Sequence, residues 1–167
     1  MDLPLGETAP LNPLHPYAYS KVAAEALALE LARRDGLPLV VTRSFNHTGP
    51  GQRPVFVVPA LARRVNLVRL GKAHAVAAGN LDVRRDISDV RDVVRAYRLQ
   101  LERIATRGSA LGPMVVNVAS GQSVSIDAIA ETLCRIAGVN PPITSDPALA
   151  RPGDAPRSAA TTGCFGS

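Results

Sequence analysis

The chain has 167 residues, 46% of them hydrophobic, which is enough for one ordinary domain with a buried core. No apolar run approaches the roughly 18 residues a membrane helix needs, and the opening MDLPLGETAP carries Asp2, Glu7 and two prolines instead of a secretory leader, so a cytoplasmic protein without membrane contact is expected. The net charge of +5 suits phosphorylated or polyanionic ligands, but the arginines are scattered and aromatic residues make up only 4%, which argues against a nucleic-acid partner.

Asp2 to Pro16 holds four prolines and no apolar period, and reads as an extended surface segment. Tyr17 to Arg34 (YAYSKVAAEALALELARR) is the surest helix, with Val22, Ala26, Leu29 and Ala32 on one stripe. Gly36 and Pro38 end it, and Leu37 to Thr42 suits a buried parallel strand. Ser44 to Pro54 (SFNHTGPGQRP) reads as a turn-rich loop, followed by a helix over Phe56 to Leu70 and a strand over Ala73 to Ala78. Val83 to Ile87 is the next strand, and Ser88 and Asp89 are N-caps for a helix from Val90 to about Ile104. Met114 to Val118 is again a strand; Ser125 caps a helix over Ile126 to Ala137, which Gly138 stops. From Pro141 prolines dominate. The alternation of strands and helices predicts α/β packing with a smaller lobe beside the sheet. Cys134 falls in a helix and Cys164 in a polar tail, a spacing of neither a disulfide framework nor a metal site, so both are expected to be free thiols and no metal is expected.

Tyr17 and Lys21 stand one turn apart on one helix face. An ammonium near a phenol favours the phenolate, which makes Tyr17 a candidate general acid or base; taken alone, the pair reads better as an exposed Tyr and Lys at a helix start. Asn46 and His47 follow a buried strand at its carboxyl end, where α/β sheets place ligands, or are ordinary polar turn residues. Arg85 offers a planar fork suited to phosphate oxygens, or is a solvent-facing strand arginine. Asp86 and Asp89 are expected to order Arg85 and to cap the helix that follows.

In ETAPLNPLHPYAYSK and the following VAAE, Glu7, Pro10, Pro13, Pro16 and Tyr17 resemble the active-site entry of extended short-chain dehydrogenase/reductases, the NAD-dependent epimerase/dehydratase family. Five later segments agree in order: VTRSFNHTGPGQ from Val41, GNLDVRRDISDVRDVVRAY from Gly79, VVNVASGQSVSI from Val115, the DP at Asp146 and RPGD from Arg151. They are similar to landmarks of the branch that uses GDP-mannose, and the loop FNHTGPGQ is similar to that of GDP-6-deoxy-D-mannose reductases, where GDP-mannose 4,6-dehydratases carry a loop like FNHESPRRG. The resemblance implies reduction of GDP-4-keto-6-deoxy-D-mannose to GDP-D-rhamnose with NADP or NAD; the related activities are those of the dehydratases and nucleotide-sugar epimerases. It further implies that Tyr17 donates a proton to the sugar oxygen, that Lys21 holds the nicotinamide ribose, and that Asn46, His47, Arg85, Arg151 and Asp154 contact the GDP-linked sugar.

The family's Gly-rich turn for the dinucleotide pyrophosphate, G-x-x-G-x-x-G or G-x-G-x-x-G, does not occur in this sequence. The expected fold is therefore the rear part of a Rossmann-type extended short-chain dehydrogenase/reductase plus its substrate lobe over residues 1–157, with a divergent tail over 158–167, without the dinucleotide-binding half. Such a chain is expected to be inactive alone, or to serve as a non-catalytic nucleotide-sugar binding module. It is also expected to form a homo-oligomer through the apolar surface left uncovered.

Overall fold

The computed structural model describes residues 5–150. Helix α1 runs over Pro16–Asp35, with proline in its first turn and Gly36 closing it at φ 64. Leu37 donates its N–H to the Ala32 carbonyl and so belongs to the helix end, which delays strand β1 to Val40–Ser44, later than the predicted Leu37 to Thr42. β1 pairs in parallel with β5, Met114–Val118, over the register Val40↔Met114 to Ser44↔Val118. The predicted bounds of β5 are those observed.

The loop predicted over Ser44 to Pro54 contains a short strand, β2 (Asn46–Thr48), paired in parallel with β4 (Arg84–Asp89). β4 also pairs antiparallel with β6 (Ser123–Ser125), a strand that carries no alternation of its own. Between β2 and β4 lie α2 (Val57–Arg69) and β3 (Val76–Ala78); β3 pairs in parallel with β7 (Ile143–Ser145), inside the stretch read only as proline-rich. α3 spans Val90–Arg107, with Asp89 as its cap; Ser88 lies inside β4 and is buried, so it does not share that role. α4 (Ile126–Ala137) has the cap at Ser125 and the stop at Gly138 that the sequence predicts.

Two layers of different character result. The buried core is Leu61 and Val65 of α2, Val76 and Ala78 of β3, Val83, and Ile126, Ala130 and Cys134 of α4, with Ile143 packed against it. This cluster lies in the lobe around α2, β3, α4 and β7, while Ala32, Val93 and Val118 are buried outside it. The predicted stripe of α1 buries only Ala32, and Ala26 faces solvent. Apolar side chains of α1 and α3, among them Leu27, Val94 and Leu101, are exposed.

The strand β7 leads into a 3-10 turn at Pro147–Leu149, where the Asp146 carboxylate accepts from the Ala148 N–H at 2.9 Å. This turn crosses Gly79, whose carbonyl accepts from the Ser145 hydroxyl at 2.9 Å. A Cβ at Gly79 would stand 2.8 Å from the Leu149 carbonyl oxygen and 3.0 Å from its carbon, which are rigid backbone atoms. Gly79→Ala is therefore expected to push the crossing segment away and cost about 1–3 kcal/mol, to be read from the urea midpoint; an unchanged midpoint would refute that close approach.

Candidate functional site

The site begins at the start of α1. His15 caps the helix by accepting the Ala18 N–H on Nδ1 at 3.2 Å, and its ring stacks on Tyr17 with centroids 6.2 Å apart. Histidine is an uncommon cap, so the sequence offers little sign of this role. Lys21, one turn along, holds its Nζ 5.2 Å from the centroid of the Tyr17 ring. The i, i+4 spacing thus brings the two side chains together, while 68% of Tyr17 remains open to solvent.

Tyr17 borders a cavity of about 960 Å³, within the range of small-ligand sites. Ser44, Phe45, Asn46 and His47 form its wall where β1 passes into β2, and Arg85 reaches it from β4. Four of the residues singled out in the sequence, Tyr17, Asn46, His47 and Arg85, therefore line one space. Lys21 does not border it and meets it only by way of its contact with Tyr17. Arg151 and Asp154, like Cys164 and the boundary at 157, lie outside the described residues. The last two described residues, Leu149 and Ala150, line the cavity.

The loop is braced from within: the Thr48 hydroxyl donates to Gln52 Oε1 at 2.7 Å, Gln52 Nε2 donates to the His47 carbonyl at 3.2 Å, and His47 Nδ1 lies 3.1 Å from the Phe45 carbonyl. Gly49 meets the start of α3 so closely that a Cβ would collide with Val90. Among the described residues, those lining the cavity include two arginines, Arg64 and Arg85, and no Asp or Glu. Among the described residues, the charged side chains of the lining are therefore all cationic.

Arg64 has no counterpart among the sequence candidates. It stands on α2 with Val57 and Leu61 at i, i+4, i+7 spacing, and all three border the cavity. An arginine on an otherwise apolar stripe was the available signal. Its neighbour Arg63 is exposed, whereas Arg64 is half-buried.

Around the cavity, two polar groups fix the framework. Asp86 does not order Arg85 as expected: its fully buried carboxyl accepts from Ser120 N–H at 2.8 Å, Ser120 Oγ at 2.7 Å and Gly121 N–H at 2.9 Å, tying the turn after β5 to β4. On the other side, Arg43 of β1 donates through Nε to Glu25 of α1 at 3.0 Å and through a terminal nitrogen to the Glu7 carbonyl at 2.8 Å. The Glu7 carboxylate in turn accepts the Asn117 N–H at 2.9 Å. The hydrogen bond to Glu25 raises the Arg43 pKa, so this half-buried cation keeps its charge. Asp89 caps α3 as expected, and the Arg91 side chain and N–H hold its carboxyl well below the usual carboxylate range. Burial pushes the Cys134 thiol up. Among the described residues no His, Cys, Asp or Glu cluster could hold a metal ion, and no helix is long and apolar enough to cross a membrane.

The family model described as GDP-mannose 4,6 dehydratase matches residues 1–162. The chain is 41% identical over 150 residues to GDP-6-deoxy-D-mannose reductase of Pseudomonas aeruginosa, covering 89% of this chain and 47% of that protein. It is 32% identical over 101 residues to human GDP-mannose 4,6 dehydratase, covering 60% and 27%. Among solved structures, RMD from Pseudomonas aeruginosa complexed with NADPH superposes with a TM-score of 0.80 at 38% identity, over 95% of this chain and 50% of that one. MoeE5 in complex with UDP-glucuronic acid and NAD gives 0.77 at 31% identity, over 97% and 51%. The chain spans about half the length of the relatives it matches most fully.

Proposed function

We propose, since this chain belongs to the GDP-mannose 4,6 dehydratase family, that it carries the acid–base and substrate-binding part of a nucleotide-sugar oxidoreductase that reduces GDP-4-keto-6-deoxy-D-mannose to GDP-D-rhamnose. The observation that carries this reading is the single cavity that joins Tyr17 to Asn46, His47 and Arg85 with no carboxylate in its lining among the described residues. A phenol at one end and a guanidinium elsewhere in the same space suit a ligand with a reducible carbonyl and a diphosphate.

Tyr17 donates its phenolic proton to the sugar oxygen as the carbonyl carbon gains hydride, so that the C=O electron pair ends as a hydroxyl and Tyr17 recovers its proton from solvent. Tyr17 and Lys21 suit a nicotinamide ribose because both are on one exposed turn of α1 with the ammonium against the ring. The dinucleotide, NADPH or NADH, supplies the hydride when bound. Lys21 holds the ribose and keeps a positive charge beside Tyr17; Arg85 takes the diphosphate, and Asn46 and His47 take sugar hydroxyls. Arg151 and Asp154 complete the nucleotide-sugar contacts in this proposal. The reductase is favoured over the dehydratase by the FNHTGPGQ loop and by the higher identity over a larger share of the chain.

The test joins the front half of the Pseudomonas reductase to this chain and supplies NADPH. GDP-D-rhamnose formed from the 4-keto sugar supports the reductase. A 4-keto sugar formed from GDP-mannose identifies a dehydratase instead, and nucleotide-sugar binding without turnover identifies a binding module.

A further inference from the structure

We infer that Arg64 is a second cationic contact for the ligand's diphosphate, acting together with Arg85 from a different element of the cavity. The inference rests on the nucleotide-sugar reading above.

It starts from position. Val57, Leu61 and Arg64 share the face of α2 that borders the cavity, and Leu61 is fully buried there, so the arginine stem follows an apolar surface while its head is delivered to the cavity edge. Placing a guanidinium on such a stripe has a cost, because a half-buried charge without a counter-charge is poorly solvated. Arg69 donates twice to Asn66 and Arg84 donates to the Ser123 carbonyl, and Arg63, which has no such partner, is exposed to water where Arg64 is half-buried. Arg64, among the described residues, makes no hydrogen bond and no ion pair, and no Asp or Glu among them lines the cavity beside it. A diphosphate supplies the missing charge and presents oxygens in the planar spacing that a guanidinium fork matches. Arg64 and Arg85 come from separate elements, α2 and β4, so the two cations can take different phosphoryl groups of one ligand.

The experiment titrates the full chain and its Arg64→Met and Arg64→Lys variants with GDP, GMP and guanosine by calorimetry, with thermal unfolding run on each. We expect Arg64→Met to bind GDP about 30-fold more weakly, the weight of one charge-assisted contact. GMP should lose less and guanosine nothing, the salt dependence of GDP binding should become shallower, and Arg64→Lys should recover part of the affinity. Equal losses for GDP and guanosine would overturn the inference by moving Arg64 to the base or to a structural role. GDP binding left unchanged in Arg64→Met would overturn it alone, with the nucleotide-sugar reading intact. A wild-type chain that binds neither GDP nor GMP would overturn that reading and this inference with it.

Discussion

Replacing Tyr17 by Phe in the joined enzyme is expected to lower kcat by roughly 10²–10⁴-fold, the usual weight of a positioned proton donor. The ring keeps its apolar body, so its stack on His15 and its contact with Lys21 survive, and the helix start is undisturbed. KM for the sugar nucleotide should therefore move little, because the proposed diphosphate contacts Arg64 and Arg85 are left in place. A loss confined to KM, or activity within about threefold of the parent, would remove Tyr17 from the chemistry. Lys21→Met is expected to act mainly through cofactor affinity and through the pH profile, since Lys21 reaches the cavity only by way of Tyr17.

The second large effect concerns stability. Asp86→Ala removes a fully buried carboxylate that serves three donors, two of them backbone N–H groups, on the exposed residues Ser120 and Gly121. Water can reach the freed N–H groups, so the loss in urea denaturation should be about 1.5–3 kcal/mol, the weight of hydrogen bonds to a charged acceptor. Asp86→Asn keeps one acceptor oxygen and should lose roughly half as much. If both variants unfold with the parent, the turn after β5 does not depend on this carboxyl.

Asp86 also marks the limit of what the residues disclose in order. Adjacent to Arg85 in sequence, it invites pairing with that neighbour, yet its partners are 34 and 35 residues away, a relation that no local spacing encodes. By contrast, α4 is legible to the residue, because a serine cap, an apolar period and a left-handed glycine at φ 68 all act within one stretch of chain. The short strands β2, β6 and β7 have three residues each, too few to show a period of two, and exist because a partner strand lies beside them. The site divides in the same way. Tyr17, Asn46, His47 and Arg85 can be found from the order of their motifs, and the fold brings them to one cavity. Arg64 belongs to no motif, and its place becomes apparent only when the helix face it occupies is seen to end at that cavity.

The concentration of buried side chains in the lobe has a consequence for how the molecule opens. Amides of α2 and α4, which close over Leu61, Val65 and Ala130, should exchange with deuterium only through global unfolding, whereas α1 is anchored by little more than Ala32 and the pair of Glu25 with Arg43. Helix α1 should thus exchange by orders of magnitude faster than the lobe. Ligand bound in the cavity, touching Tyr17 on one side and the lobe on the other, should slow α1 most of all.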